Sequence, residues 1–144
     1  DVSWRAHPDY RADVCFDNAT RANLGGLGHS ERVFLGLSLL HRYKNKRDAA
    51  RFADLVGLLD EKSLQQAEVL GKAMRFGAML WSDPKLDTVK LDWAPKKKVL
   101  TLSLAVAAVP LFGEVAQSRF DALAQALGAE TQVKSLPVAS LDGV

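Results

Sequence analysis

The densest chemistry in this sequence lies between Arg42 and Arg51, where five cations, Arg42, Lys44, Lys46, Arg47 and Arg51, stand against one acid, Asp48. The whole chain carries only +2, so the positive field is local and its natural partner is an anion. The guanidinium of Arg42 can grip two phosphate oxygens at once, and Lys44 and Lys46 add compact point charges. A structural reading competes with this one: the cluster ends one helix and opens another, where cations meet a helix's negative pole and are solvated.

Other chemistry is less well supported. Gly25-Gly26-Leu27-Gly28 precedes a helix, and its amides could hold an anion at that helix's N-terminus. It lacks a preceding apolar strand and the spacing of a dinucleotide fingerprint, which favours a plain helix-to-helix turn. His29 and His41 are separated by roughly 18 Å if both lie on one helix, and His7 has no ligand partner at a recognised spacing, so no metal ligand is assigned. Cys15 lies between Asp13 and Asp17, acids that oppose thiolate formation, and no catalytic residue is assigned. Lys96-Lys97-Lys98 reads as a solvated hairpin tip. The aromatic residues fall on apolar stripes and do not interleave with the cations, which argues against nucleic-acid binding.

With 144 residues, 48% of them hydrophobic and 25% charged, the chain has the composition of an ordinary globular protein. No run approaches the roughly 20 apolar residues of a membrane span. A single cysteine forbids an intramolecular disulfide and fits a reducing compartment, so a cytoplasmic location is expected. The sequence opens on Asp1 and reaches Trp4 with no signal-peptide pattern, and it reads as excised from something longer.

The elements that must position the cluster follow from periodicity. A short helix is expected over Ala12 to Ala22. After the glycine loop, Ser30 is placed to cap a helix whose apolar stripe is Val33, Phe34, Leu37 and Leu40. A second helix is expected from about Ala49 to Leu59. Asp60 caps a third, about Glu61 to Trp81, with the stripe Leu64, Ala67, Leu70, Met74, Ala78 and Trp81, ended by Pro84. The period then becomes two: Val89, Leu91 and Trp93 in one strand, and Leu100, Leu102, Leu104 and Val106 in the next, make a hairpin. A helix from Glu114 to Leu127, capped by Gly128, precedes a third strand from Thr131 to Leu136. The fold class is therefore α+β, a mainly helical lobe over residues 1–84 and a small β-β-α-β lobe over 85–144.

Three segments together resemble a known family: Asp1-Val2-Ser3-Trp4-Arg5-Ala6-His7-Pro8-Asp9-Tyr10-Arg11, Gly28-His29-Ser30-Glu31-Arg32-Val33 and Leu40-His41-Arg42-Tyr43-Lys44. With Met74-Arg75-Phe76-Gly77-Ala78-Met79-Leu80, they are similar to the C-terminal region of the exopolyphosphatase and guanosine pentaphosphate phosphatase family. The resemblance implies a parent enzyme whose N-terminal actin-like domains hydrolyse a terminal phosphoanhydride with magnesium. It also implies that this chain is a degenerate HD-like helical domain followed by the small lobe, carrying no cofactor of its own. Asp1 falls at the position of the HD-type aspartate without its histidine partners. The implied partners are the actin-like domains, polyphosphate or guanosine pentaphosphate, and a second copy in a homodimer. The residues carried over as polyphosphate-binding candidates are Arg42, Tyr43, Lys44, Lys46 and Arg47. A free-standing metal-dependent HD-type phosphohydrolase and a purely structural dimerisation module are the alternatives.

Overall fold

The computed structural model describes residues 5–44, 52–80 and 89–136. Contacts divide the chain into two compact units, Asp1–Arg75 and Phe76–Val144. In the first unit α1 (Arg11–Arg21) buries Ala12, Cys15, Phe16 and Ala19, a stripe of helical period. Its chain end is set by Ala22, whose extended backbone stops the helix.

The next helix, α2, spans His29–Tyr43. Its cap is Gly28, not the expected Ser30: the Glu31 carboxylate accepts the Gly28 N–H at 2.6 Å. The glutamate three residues past an extended glycine closes half of a capping box, and so His29 is already helical. Gly26 supplies the left-handed turn before it, with φ +83. Val33, Leu37 and Leu40 are buried as expected, and His41 packs among them at 4% exposure.

Only Ala53–Val56 form the short helix α3 within the span expected from Ala49 to Leu59, whose first three residues lie outside the described ones. Beyond Val56, Leu58 and Leu59 donate their N–H groups to the carbonyls three residues back, tightening the chain out of the α-helical pattern. Phe52 still reaches the core, its ring 4.1 Å from that of Phe16.

As expected, Asp60 caps α4 (Glu61–Leu80), its Oδ1 accepting the Ser63 N–H at 2.7 Å. The buried face of α4 is rotated from the expected stripe. Ala67, Gly71, Lys72 and Phe76 are buried, while Leu70 is 43% exposed, Ala78 is exposed, and Trp81 and Pro84 lie outside the described residues. Sterics decide this. A Cβ on Gly71 would overlap the Ser38 carbonyl oxygen, come to 2.5 Å of the His41 Cβ and to 3.1 Å of the Arg42 N. The α2–α4 crossing therefore needs the smallest residue at its centre, and the buried face turns to put it there.

Phe76 groups with the second unit, where its ring lies tilted 5.3 Å from that of Phe120 and meets Phe112 edge-on at 6.5 Å. The sheet order is β1-β2-β3, with β1 (Val89–Ala94) antiparallel and β3 (Glu130–Leu136) parallel to β2 (Val99–Ala105). The parallel pair requires a crossover, which α5 (Glu114–Leu127) provides. Its Ala116, Phe120, Leu123 and Ala124 form one buried stripe, and on β2 Leu100, Leu102 and Leu104 are likewise at most 2% exposed. Val106, expected to continue that strand face, is 59% exposed. The chain leaves the sheet at Ala105 for a 3-10 turn over Val106–Leu111 that contains Pro110. Gly128 ends α5 in the left-handed conformation, φ 62, as a glycine C-cap should. No helix of the described residues is long and apolar enough to cross a membrane.

Two measurements check these packing and capping arguments. Gly71→Ala should lower stability in chemical denaturation: overpacking against backbone costs about 1–3 kcal/mol, outweighing the roughly 1 kcal/mol gained in helix propensity. Gly77→Ala, on the same helix with nothing within 4 Å of the added carbon, should instead raise it by up to about 1 kcal/mol. The Asp60 carboxyl is held below its ordinary value of 3.8 by hydrogen bonds from the Ser63 side chain and then the Ser63 backbone. A lowered folded-state pKa stabilises above the ordinary value and is lost as pH falls through the lowered one. The melting-temperature deficit of Asp60→Ala at pH 7 should therefore shrink when both proteins are melted below pH 3.8.

Candidate functional site

The first turn of α1 meets the last turn of α2, because the two helices pack together along their lengths. Their contact is close: a Cβ on Gly36 would lie 3.2 Å from the Phe16 ring and 3.3 Å from the Phe16 carbonyl oxygen. This pairing builds the basic end of the unit. The α2 C-terminus is a negative pole and the α1 N-terminus a positive one, so cations are favoured on the first and an acid on the second. Arg42 and His41 occupy the last turn of α2, and Asp13 the first turn of α1.

Lys44, the C-cap of α2, donates to both carboxylate oxygens of Asp13, at 3.1 and 3.3 Å. Asp13 is 7% exposed, so this bond satisfies a buried carboxylate and engages the Lys44 ammonium in holding two helices together. Tyr43 is partly buried and packs on the helical core. Arg42 places its Cζ 5.5 Å from the Tyr43 ring centroid, and among the described residues no carboxylate forms an ion pair with it. Of the five candidates, three are thus brought together at one helix end. Lys46 and Arg47 lie outside the described residues.

One contributor is absent from the sequence-derived set. Arg11 brings its Cζ 5.6 Å from the same Tyr43 ring and donates from Nη2 to the Ala6 carbonyl at 3.2 Å. Arg11 stands far from Arg42 in sequence, and only the α1–α2 pairing joins them. The signal that points to it is compositional: an arginine opening a helix whose partner helix ends in cations.

The glycine loop is structural. Its helix-terminal amide at Gly28 is taken by Glu31, and Arg32 braces the loop with bonds to the Ala22 and Gly28 carbonyls at 3.3 and 3.4 Å. The anion at this helix N-terminus is the chain's own carboxylate. Beside it, Leu27, Phe34, Leu35 and Leu59, with Ser30 and Ser63, line a cavity of about 410 Å³. Its walls are largely apolar and Glu31 lies on its edge, the wrong character for a polyanion.

The histidines stay apart: His7 is exposed beside Asp9, His29 contacts Arg32, and His41 is buried at the α2–α4 crossing. Among the described residues no three His, Cys, Asp or Glu side chains converge as metal ligands. Cys15 is 1% exposed within the helical core.

No curated protein matches the chain. The family model described as exopolyphosphatase, C-terminal, matches residues 1–133. That match covers both units, including the α1–α2 pair with its basic end and the sheet through Val133. With so much of its length accounted for, the chain belongs to the exopolyphosphatase C-terminal family.

Proposed function

We propose that this chain is the accessory part of an exopolyphosphatase-like phosphohydrolase, contributing polyphosphate binding and dimer contacts. Hydrolysis of the phosphoanhydride, with magnesium, falls in this reading to actin-like domains of a longer cytoplasmic polypeptide, with the helical unit as a degenerate HD-like domain. The observation that carries the proposal is the state of Arg42. It stands at a helix end, its Cζ 5.5 Å from the Tyr43 ring centroid, with no ion-pair carboxylate among the described residues, and it opens the run of cations that continues to Arg51. A planar fork held over a ring suits phosphate oxygens, and a polyphosphate chain offers many of them in series.

Dimer contacts draw support from the leucines that the helical unit leaves at its surface. Leu24, Leu27, Leu55, Leu58 and Leu70 are each 36% exposed or more, apolar surface that a dimer contact would cover.

Polyphosphate titration at about 50 mM and about 200 mM salt tests the binding claim. Displaced counterions should make affinity fall at least roughly tenfold between the two. Arg42→Ala should weaken binding at both concentrations and flatten the salt dependence, whereas Lys44→Gln, which breaks the Asp13 bond, should cost more in melting temperature than in affinity. Native affinity in the Arg42 variant removes the claim. Sedimentation of the same protein checks the dimer.

A further inference from the structure

The edge of the small sheet carries a self-complementary pattern. Among the described residues β1 pairs with β2 alone, so its outer side offers a row of backbone donors and acceptors to a further strand. The register sets Val89, Leu91 and Trp93 opposite Leu104, Leu102 and Leu100 on one face, which puts Lys90 and Asp92 together on the other. Leu91 and Trp93 are 43% and 38% exposed, although they share the face on which the β2 leucines are buried. Lys90 and Asp92 are exposed as well, and pair within the strand at 3.3 Å.

Charge decides how such an edge can meet a copy of itself. A two-fold axis perpendicular to the sheet sets two copies of β1 antiparallel and keeps each face continuous, so residues directly opposite share a face. An axis through Lys90 sets lysine on lysine, and one through Asp92 sets aspartate on aspartate, which is destabilising in both cases. An axis through Leu91 sets Lys90 against the partner's Asp92 and Asp92 against the partner's Lys90. On the other face the same register joins Val89 to the partner's Trp93 and Leu91 to the partner's Leu91, so both faces are matched at once.

We propose that two copies of this chain associate through β1, antiparallel about Leu91, which joins their three-stranded sheets into one. This rests on the reading of the chain as dimer-forming and gives the dimer a contact in the second unit, apart from the leucines of the helical one. The opposite edge suits a copy of itself less well. About Gln132, Glu130 would face the partner's Lys134, but on the leucine face β3 offers Thr131, Val133 and Ser135, one apolar side chain where β1 has three.

Sedimentation over a concentration series, with cysteine cross-linking, tests the pairing on the whole 144-residue chain. Directly opposite residues of an antiparallel pair have Cα atoms roughly 4.5–5.5 Å apart, within disulfide reach. Leu91→Cys should therefore oxidise to a covalent dimer and Gln132→Cys should not, while the natural Cys15 is buried away from either. Asp92→Lys and Lys90→Asp each set like charges opposite in the dimer, so each alone should sediment as a monomer. Mixing the two should restore a dimer, because each copy then supplies the charge that the other lacks. Loss of the exposed pair within one strand cannot produce that rescue. A native dimer in which Leu91→Cys fails to cross-link, or in which the charge variants remain dimeric, overturns the β1 pairing and leaves the dimer reading standing. A native chain that is monomeric at every concentration overturns both. Should Leu91→Cys fail to fold, the mixing experiment carries the test, since its substitutions fall on exposed side chains: a mixture that stays monomeric refutes the proposal.

Discussion

At Gly36 the backbone of α2 passes so close to α1 that one added carbon would press on the ring and carbonyl of Phe16 and on the Thr20 methyl. Every feature of the basic end follows from that approach. With the helices this near, Asp13 can reach Lys44 and Arg11 can reach Tyr43, although each pair is distant in sequence. The same face of α1 delivers Phe16 to Phe52, so the packing that places the charges also anchors the chain leading to α4. A second close approach, Gly71 against Ser38 and His41, holds the other side of α2. The helix bearing Arg42 is thus pinned from two directions by glycines.

Charge placement and helix polarity reinforce each other. An acid in the first turn of α1 and cations in the last turn of α2 both complement the poles of their own helices before they meet each other. At the opposite end of α2 the arrangement is reversed: Glu31 supplies the negative charge that the N-terminus attracts, bonded to Gly28. One end of α2 is therefore occupied by a carboxylate, and the other carries Arg42.

Much of this was readable from residue order. Alternation of Val89, Leu91 and Trp93 and of Leu100, Leu102 and Leu104 located the hairpin, because a strand's period of two survives any context. Asp60 and Gly128 marked a helix start and a helix end through local hydrogen bonding and backbone freedom. The rotated face of α4 was not readable, since Gly71 works by having no side chain and a hydropathy pattern passes over it in favour of Leu70. The Gly28 cap was missed because its partner is the Glu31 side chain reaching backward. Arg11 was missed for a different reason: helix pairing, which no local pattern encodes, brings it to Tyr43. The candidate site was legible as a run of cations, but which of them Asp13 would claim was not.

Lys98 adopts a left-handed backbone, φ 51, at the end of the hairpin turn, and its carbonyl accepts the Glu130 N–H at 2.8 Å. That bond starts the parallel ladder, whose first aligned residues are Val99 and Glu130. The turn between the first two strands thereby also sets the phase of the third, which arrives after a whole helix. Adding or deleting one residue in the lysine tip ahead of Lys98 would leave that pairing in place and act on β1 instead, whose register sets Leu91 opposite Leu102.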